Sequence, residues 1–443
     1  MSFVQPGQSP HLSPSQILSL TAPPTPSQPA PSSPDPTAYI LSINPLANSP
    51  SLLLTHATSN LTVVDRSSFQ VVDKWIAPNG SGEISGVVGQ HGAEGLVWTC
   101  GKEGGILGWD SRVKGGKATN KVMRVPGGKT VPLLSLASSA EHHLLAAGTE
   151  LTNHEALIAY WDPRSPSQPL YTHSTLHSDD ITTLSFAPSS LHSLTFPLQP
   201  STDPDIPPPA QPQSSAILLS GSTDGLLALS NALEKDEDES TLGVGNGEAS
   251  VAAAGWEENG GWGVWMRNDM DGVERWDASD FTLRSKAESL RLDTPEGVPS
   301  TQAWTTDYLI DVVPSLSTAS SSRIGGCLVG DNAGNIALFN ASNGDDEDMV
   351  ISKTFRGGFR GHRDVVRAAY YDSSSQTMYT GSEDSVLCSW SLNDTSGKDE
   401  DEDVEMDKHA QVDGDDEMNG VKRRRPDEPM LGGDGGWGKR GRR

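Results

Sequence analysis

The chain has little of what binds metals, forms crosslinks or spans membranes. It holds three cysteines in 443 residues, Cys100, Cys327 and Cys388, far apart and each inside an apolar run. That spacing argues against a disulfide framework and a cysteine-based zinc set, and reads as three small core residues in a reducing compartment. Positive charge is scarce: 32 Lys and Arg stand against 58 Asp and Glu, a net charge of −26. Affinity for nucleic acid comes from clustered cations on phosphates, so direct nucleic-acid binding is not expected. No apolar run approaches the length of a bilayer span, and no basic stretch followed by an apolar core opens the chain. The expectation is a soluble, non-secreted protein without membrane contact, in which the sequons at Asn60, Asn79 and Asn393 are chance matches. GK[ST] is also missing: GKEGG at 101–105 and GDNAGN at 330–335 are glycine-rich but open no helix, and read as strand turns.

What the chain does have is repetition. Residues 361–392, GHRDVVRAAYYDSSSQTMYTGSEDSVLCSWSL, contain three short apolar runs separated by DSSS and SED. They read as three strands and two tight turns. Within them His362, Thr380, Asp384 and Trp390 are spaced to meet, the hydroxyl linking imidazole to indole and the carboxylate fixing the turn. One small sheet buries too little apolar area to offset chain entropy, so neighbouring units are required. They are present, each imperfect. The first reads as strands at 38–43, 51–55, 60–65 and 71–75; the second, GLVWTCGKEGGILGWD at 95–110, carries Thr99, Glu103 and Trp109 in the corresponding places. The third closes on Trp161-Asp162. The fourth has His177, Ser220 and Asp224 but Ser230 where the indole belongs, the fifth ends on Trp276-Asp277, and the sixth has Phe339. A repeated four-strand unit with Trp-Asp ending its third strand is the sign of a β-propeller. The expected fold is therefore all-β, a seven-bladed propeller over 37–392 with insertions at 189–215 (Pro- and Ser-rich) and 232–249 (acidic, with glycine). Residues 1–36 read as a disordered Pro/Ser arm and 393–443 as a disordered tail, first acidic and then basic.

The GH, Ser/Thr-x-x-x-Asp and Trp-Asp pieces resemble the WD40 repeat family across most of the propeller. More narrowly, AGTE and EALIAYWDPR at 147–164, then HSDDIT, SGSTDG, TDYLI at 306–310 and TGSEDSVLCSW at 380–390 resemble the WD repeat-containing protein 89 family. The resemblance implies a seven-bladed propeller with no assigned catalytic residues and no defined process. The arm, the 189–215 insertion and the tail depart from that pattern.

Closing the ring is a physical problem, because free blade edges present unpaired backbone groups. After Leu392 the chain turns to NDTSGKDEDED, and a block of like charges does not enter a sheet. The apolar cluster QILSLT at 16–21 is therefore expected to supply the outer strand of the last blade.

Function is read from what remains. His362, Thr380 and Asp384 have the chemistry of base, nucleophile and orienter, yet a hydroxyl set on a strand and closed off by Trp390 reads as a brace. His177 with Asp179 and Asp180 lacks a second ligand cluster and reads as packing. No catalytic, cofactor or metal residues are expected and no small-molecule substrate. The residues flanking the two histidines, Asp179, Asp180, Arg363 and Asp364, are the candidate partner contacts, with Arg356, Arg360 and Arg367 making a local basic group near Arg363. Lys422, Arg423, Arg424 and Arg425, then Lys439, Arg440, Arg442 and Arg443, form a two-part signal for a nuclear import receptor. The expectation is a non-enzymatic protein-protein interaction scaffold of a nuclear complex, with the cytoplasm as a second location. The alternative is a chaperone-like binder of basic nuclear proteins, histones or ribosomal proteins, through the acidic run 398–417.

Overall fold

Strands that are apolar on both faces need a neighbour on each side, and that requirement organises this fold. Second strands such as Leu144–Thr149, Ile217–Ser222 and Gly325–Gly330, and the third strand Ile158–Trp161, are buried along their whole length. The computed structural model describes residues 11–20, 38–47, 49–78, 82–89, 95–116, 118–123, 130–165, 168–197, 211–257, 261–291, 305–316, 324–341, 349–358 and 361–393. These residues form seven sheets, antiparallel but for one added edge strand, arranged as the blades of a propeller. Blade 1 is Ser42–Pro45, Ser51–Thr55, Leu61–Asp65 and Gln70–Trp75; blade 2 is Ile84–Gly89, Leu96–Gly101, Ile106–Asp110 and Ala118–Met123. Blade 3 is Leu133–Ser139, Leu144–Thr149, Ile158–Trp161 and Tyr171–His173; blade 4 is Ile181–Phe186, Ile217–Ser222, Leu226–Asn231 and Thr241–Asn246. Blade 5 is Val251–Trp256, Gly263–Asn268, Val273–Asp277 and Thr282–Ala287; blade 6 is Tyr308–Val312, Gly325–Gly330, Ile336–Ala341 and Met349–Phe355. Blade 7 takes Val366–Asp372, Thr377–Ser382 and Val386–Ser391 from the end of the repeat region and Gln16–Ser19 from the arm. Among the described residues no helix is long and apolar enough to cross a membrane.

The core is divided among the seams. Seven clusters of buried side chains each join one pair of adjacent blades, including Ile40, Leu52 and Leu54 of blade 1 with Ala368, Tyr379 and Leu387 of blade 7. Burial of this kind contributes about 25 cal/mol per Å² of apolar surface, so each seam is a core in its own right. The inner strands are also stitched to one another. Ser85 Oγ donates to the Leu133 carbonyl, Ser135 Oγ to Ile181 at 2.8 Å, and Thr182 Oγ1 to Val251 at 2.6 Å. Farther round, Arg267 Nη1 donates to Leu309 O at 3.4 Å, the Val366 amide to the Tyr308 hydroxyl at 2.7 Å, and the Ile40 amide to Ser382 O at 3.2 Å.

The Asp at the end of the third strand of blades 1, 2, 3 and 5, after Val64 in blade 1 and after a Trp in the others, has a local cause. Asp65, Asp110, Asp162 and Asp277 accept the amide two residues on (Ser67, Arg112, Arg164, Ser279) at 2.8–3.1 Å, and so start the turn into the outer strand. Asn231 does the same in blade 4 through Leu233 at 3.2 Å.

The ring closes through the arm. Gln16 pairs with Ser389 and Ser19 with Val386, flanked by Ser15 N to Ser389 O at 2.7 Å and Leu20 N to Ser385 O at 3.0 Å. Thr21 lies outside the described residues. A second attachment was not read from the sequence: His11–Leu12 pairs in parallel with Thr354 and Phe355, making a fifth strand on blade 6.

Three boundaries differ from the sequence reading. The inner strand of blade 1 is Ser42–Pro45 rather than 38–43, because Ile40 is taken up by the seam with blade 7. The 232–249 segment is not an extruded insertion: after one helical turn, Glu237–Ser240, it supplies the outer strand of blade 4. An exposed edge strand with glycines, TLGVGN, carries no clear apolar alternation, which is why it reads as loop. The described ends of the 189–215 insertion are packed, with Leu191 and Phe196 fully buried and Phe196 edge-on to Trp262 at 4.9 Å.

Candidate functional site

Blade 7 brings together all four residues of the polar set. Thr380 Oγ1 accepts the Trp390 indole N–H at 2.7 Å and lies 2.7 Å from His362 Nε2. Asp384 stands 3.6 Å from His362 Nδ1 and accepts the Arg363 and Val386 amides at 2.8 and 2.9 Å. Burial would raise the Asp384 carboxyl, but His362 and the two amides hold it below the usual range. His362, Thr380 and Trp390 are at most 1% exposed. A nucleophile that no substrate can reach performs no chemistry, so the geometry is that of a brace.

The register explains the incomplete sets. Trp390 pairs with Met378 and Thr380 follows two residues on; the same offset from Trp109 through Val97 gives Thr99, from Trp161 through Leu145 gives Ala147, and from Trp276 through Val264 gives Met266. Trp109 accordingly donates to Thr99 at 2.9 Å, while Trp161 Nε1 has no hydrogen-bond partner among the described residues and Trp276 turns to Glu274 at 3.1 Å. Glu103 of the second set is exposed on its turn, and no histidine among the described residues of its blade meets it. In blade 4, His177 Nε2 lies 2.7 Å from Ser220 Oγ, and Asp224, 3.5 Å from His177 Nδ1, accepts the Ser178 and Leu226 amides. Burial opposes it, yet His177 and these amides hold the Asp224 carboxyl at about 2. Ser230 is fully buried, and the space an indole would fill is taken from blade 3: Tyr160 lies beside it, 4.7 Å from the Tyr171 ring and 5.1 Å from His173.

Sequence reasoning missed a further pair. In blade 1 His56 Nδ1–H donates to Tyr39 O at 3.0 Å, so Nε2 accepts from Thr62 Oγ1 at 2.9 Å. The Ser/Thr-x-x-x-Asp spacing does not find it, because His56 sits on the turn after the second strand and not ahead of the first.

The loops beside His177 and His362 share one rim of the ring. Asp179 and Asp180 lie on blade 4, Arg363 and Asp364 on blade 7, three blades away, so they form two patches and not one site. Asp180 is partly committed, accepting the Leu151 amide at 2.7 Å. Arg367 pairs with Glu383 at 2.6 Å, so the basic group is not an open cluster, and Arg360 lies outside the described residues. Across blades 3 to 6 the rim is mostly acidic: Glu150, Glu155, Asp179, Asp180, Asp224, Glu248, Asp269, Asp271 and Asp307 stand with Lys286 and Arg291, each already paired with a carboxylate, and with Arg356 at the blade 6 end. Two apolar tips project from this rim, Leu151 at 37% and Met270 at 66% exposure.

The opposite rim holds an open cavity of about 610 Å³ between the inner strands of blades 2 to 5. Val88, Leu136, Leu184, Phe186 and Trp256 form its walls, with Glu141 and His192 at the edge, 3.6 Å apart. Glu257 at its floor already receives Arg275. Among the described residues no group of three or more His, Cys, Asp or Glu side chains is placed to share a metal ion. Burial pushes the Cys100 thiol up to about 11 and Cys327 to about 12, and raises Cys388 further, so none is a ready nucleophile. The signal residues Lys422 to Arg425 and Lys439 to Arg443, and the acidic run, lie outside the described residues.

No protein-family model matches the chain. It is 24% identical over 278 residues to an uncharacterized WD repeat-containing protein of Saccharomyces cerevisiae, covering 62% of this chain and 60% of that protein. A second uncharacterized WD repeat-containing protein, from Schizosaccharomyces pombe, is 25% identical over 208 residues, 46% of this chain and 53% of its own length. The chain thus spans little more than half the length of the curated relatives it matches. In fold it is similar to a chain in the crystal structure of the mitotic checkpoint complex, with a TM-score of 0.56 at 14% identity over 87% of this chain and 93% of that one. The chain is therefore similar in sequence to WD repeat-containing proteins and is built as a seven-bladed propeller.

Proposed function

We propose that this protein is a non-enzymatic protein-protein interaction scaffold of a nuclear complex, close in kind to the WD repeat-containing protein 89 family. The observation that carries the reading is the rim over blades 3 to 6, where exposed Leu151 and Met270 project from a field of carboxylates. Apolar anchors inside a charged surround suit a protein partner with complementary positive charge, the anchors giving affinity and the charges giving rate and orientation. The His, Ser/Thr and Asp groups that could have served catalysis are spent inside the blades. Import through the basic pair at Lys422–Arg425 and Lys439–Arg443 is part of the reading. The test is affinity purification from nuclear extract with wild type, Met270→Asp and the double variant Asp179→Lys, Asp180→Lys. Loss of the same partners in both variants supports the rim, and an unchanged partner set overturns it.

A second reading rests on the acidic run at 398–417: chaperone-like binding of basic nuclear proteins such as histones or ribosomal proteins. Removing residues 393–443 separates the two. Loss of nuclear import with intact partner binding by the purified protein favours the scaffold, whereas loss of basic-protein binding in the purified system favours the chaperone.

A further inference from the structure

Residues 11–20 run as one strap over the outer edges of two blades, His11–Leu12 on blade 6 and Gln16–Ser19 on blade 7. Leu12 is its anchor, 5% exposed in the seam between those blades beside Phe355 and Trp390. The short ladder is parallel, with His11 opposite Thr354 and Leu12 opposite Phe355, and the Arg356 amide extends it by donating to Leu12 O at 3.2 Å. In a parallel ladder, residues in register place their side chains on the same face, and the face alternates along the strand. Leu12 and Phe355 both enter the core, so the next pair, Ser13 and Arg356, stands on the opposite face, and both residues are exposed. Among the described residues no carboxylate pairs with Arg356. Ser13 is followed by Pro14, and the same Ser/Thr-Pro step recurs in the arm at Ser9, Thr25 and Ser33.

We propose that Ser13 is a phosphorylation site, written by a proline-directed serine/threonine kinase, and that its phosphate docks on Arg356 and latches the strap. In the reaction the Ser13 Oγ–P bond forms as the bond from the γ-phosphorus of ATP to its bridging oxygen breaks. ADP leaves and the hydroxyl proton passes to the kinase base. A kinase reads an extended segment, and Leu12 is buried, so the modification is made while the strap is lifted. Edge strands held by few bonds open in this way far below the cost of global unfolding. When the strap returns, the phosphate dianion meets an exposed guanidinium directly across the ladder and forms charge-assisted, bidentate hydrogen bonds. The modification therefore tightens ring closure rather than releasing it.

The test uses the full chain with phosphoserine installed at position 13 during translation, against the unmodified chain, each with and without Arg356→Ala. Amide hydrogen exchange across 16–19 and 386–391 is expected to slow about tenfold on phosphorylation, as one charge-assisted bond would give, and to return to the unmodified rate in Arg356→Ala. Unchanged or faster exchange overturns the proposal, as does slowing that survives Arg356→Ala. A second arm treats the unmodified chain with a purified proline-directed kinase and ATP. Phosphate mapped to Ser13 supports the site, and phosphate confined to Ser9, Thr25 or Ser33 overturns it.

Discussion

Blades 7 and 4 carry the same buried His, hydroxyl and Asp, and differ at one position, Trp390 against Ser230. In blade 7 the indole fills the seam and also donates to Thr380. In blade 4 the seam is filled from the neighbouring blade by Tyr160, Tyr171 and His173, and no indole N–H reaches Ser220. The blades without the full set point the same way: Trp161 is packed with its N–H unpartnered among the described residues, and Phe339 has no N–H to offer. What a seam requires is a ring-sized apolar volume. The polar link is an addition to it, and Asp serves mainly the turn amides, which is why it is present in both blades.

The largest expected effect breaks the difference in how the two blades are assembled. Blade 4 takes all its strands from one stretch of chain, whereas blade 7 borrows Gln16–Ser19. Deleting residues 1–20 should strip that strand and empty the Leu12 site, lowering the thermal midpoint by about 10 °C or more or abolishing cooperative unfolding. Deleting residues 1–10 alone should leave the midpoint near wild type. Equal midpoints for the two deletions would remove the arm from the fold. The next effect tests the filling of blade 4: Tyr160→Ala should cost about 3–5 kcal/mol in urea unfolding, as for other buried aromatics. A cost under 1 kcal/mol, on the order of a surface change, would show that Tyr160 does not stand in for the indole.

Most of this architecture is legible in the sequence, because the second and third strands announce themselves. Their apolar runs end in turn residues, and Trp-Asp marks the third strand physically: the ring must pack and the carboxylate must catch an amide. Outer strands are less legible, since they lie at the edge of the sheet and, as in Thr241–Asn246, turn mostly to solvent. The attachment of Leu12 could not be read at all, because two residues carry no periodicity. The compensation at Ser230 was hidden for another reason. It comes from Tyr160 on a different repeat, and a pattern read within one repeat cannot see across a seam. The candidate rim contacts were placed on one rim by their position next to the histidines, but their separation into two patches follows from the ring order.

A smaller effect measures the polar link itself. Thr380→Val leaves both His362 Nε2 and the Trp390 N–H without a partner, and should cost about 2–4 kcal/mol, whereas Ser220→Ala strands only His177 and should cost about 1–2 kcal/mol. Equal losses in chemical denaturation would mean that the indole bond adds nothing to blade 7.

The smallest effect asks whether the carboxylates of the two blades act alike. Asp224 is held at about 2 against an ordinary 3.8, and Asp384 is lowered as well. A depressed carboxyl binds fewer protons folded than unfolded, so its stabilisation is complete above its ordinary value and fades as the pH falls toward the folded one. For Asp224 the window is therefore from about pH 4 down to about pH 2. After discounting for nearby solvent, about 1 kcal/mol should be lost across it. Asp224→Asn and Asp384→Asn should each be less stable than wild type at pH 5 and fall less steeply on acidification, and by similar amounts, because both carboxylates bind turn amides and neither touches the indole position. If the acid slope of Asp384→Asn alone were flattened, the carboxylate would belong to the indole link, and the two blades would differ by more than the volume at Ser230.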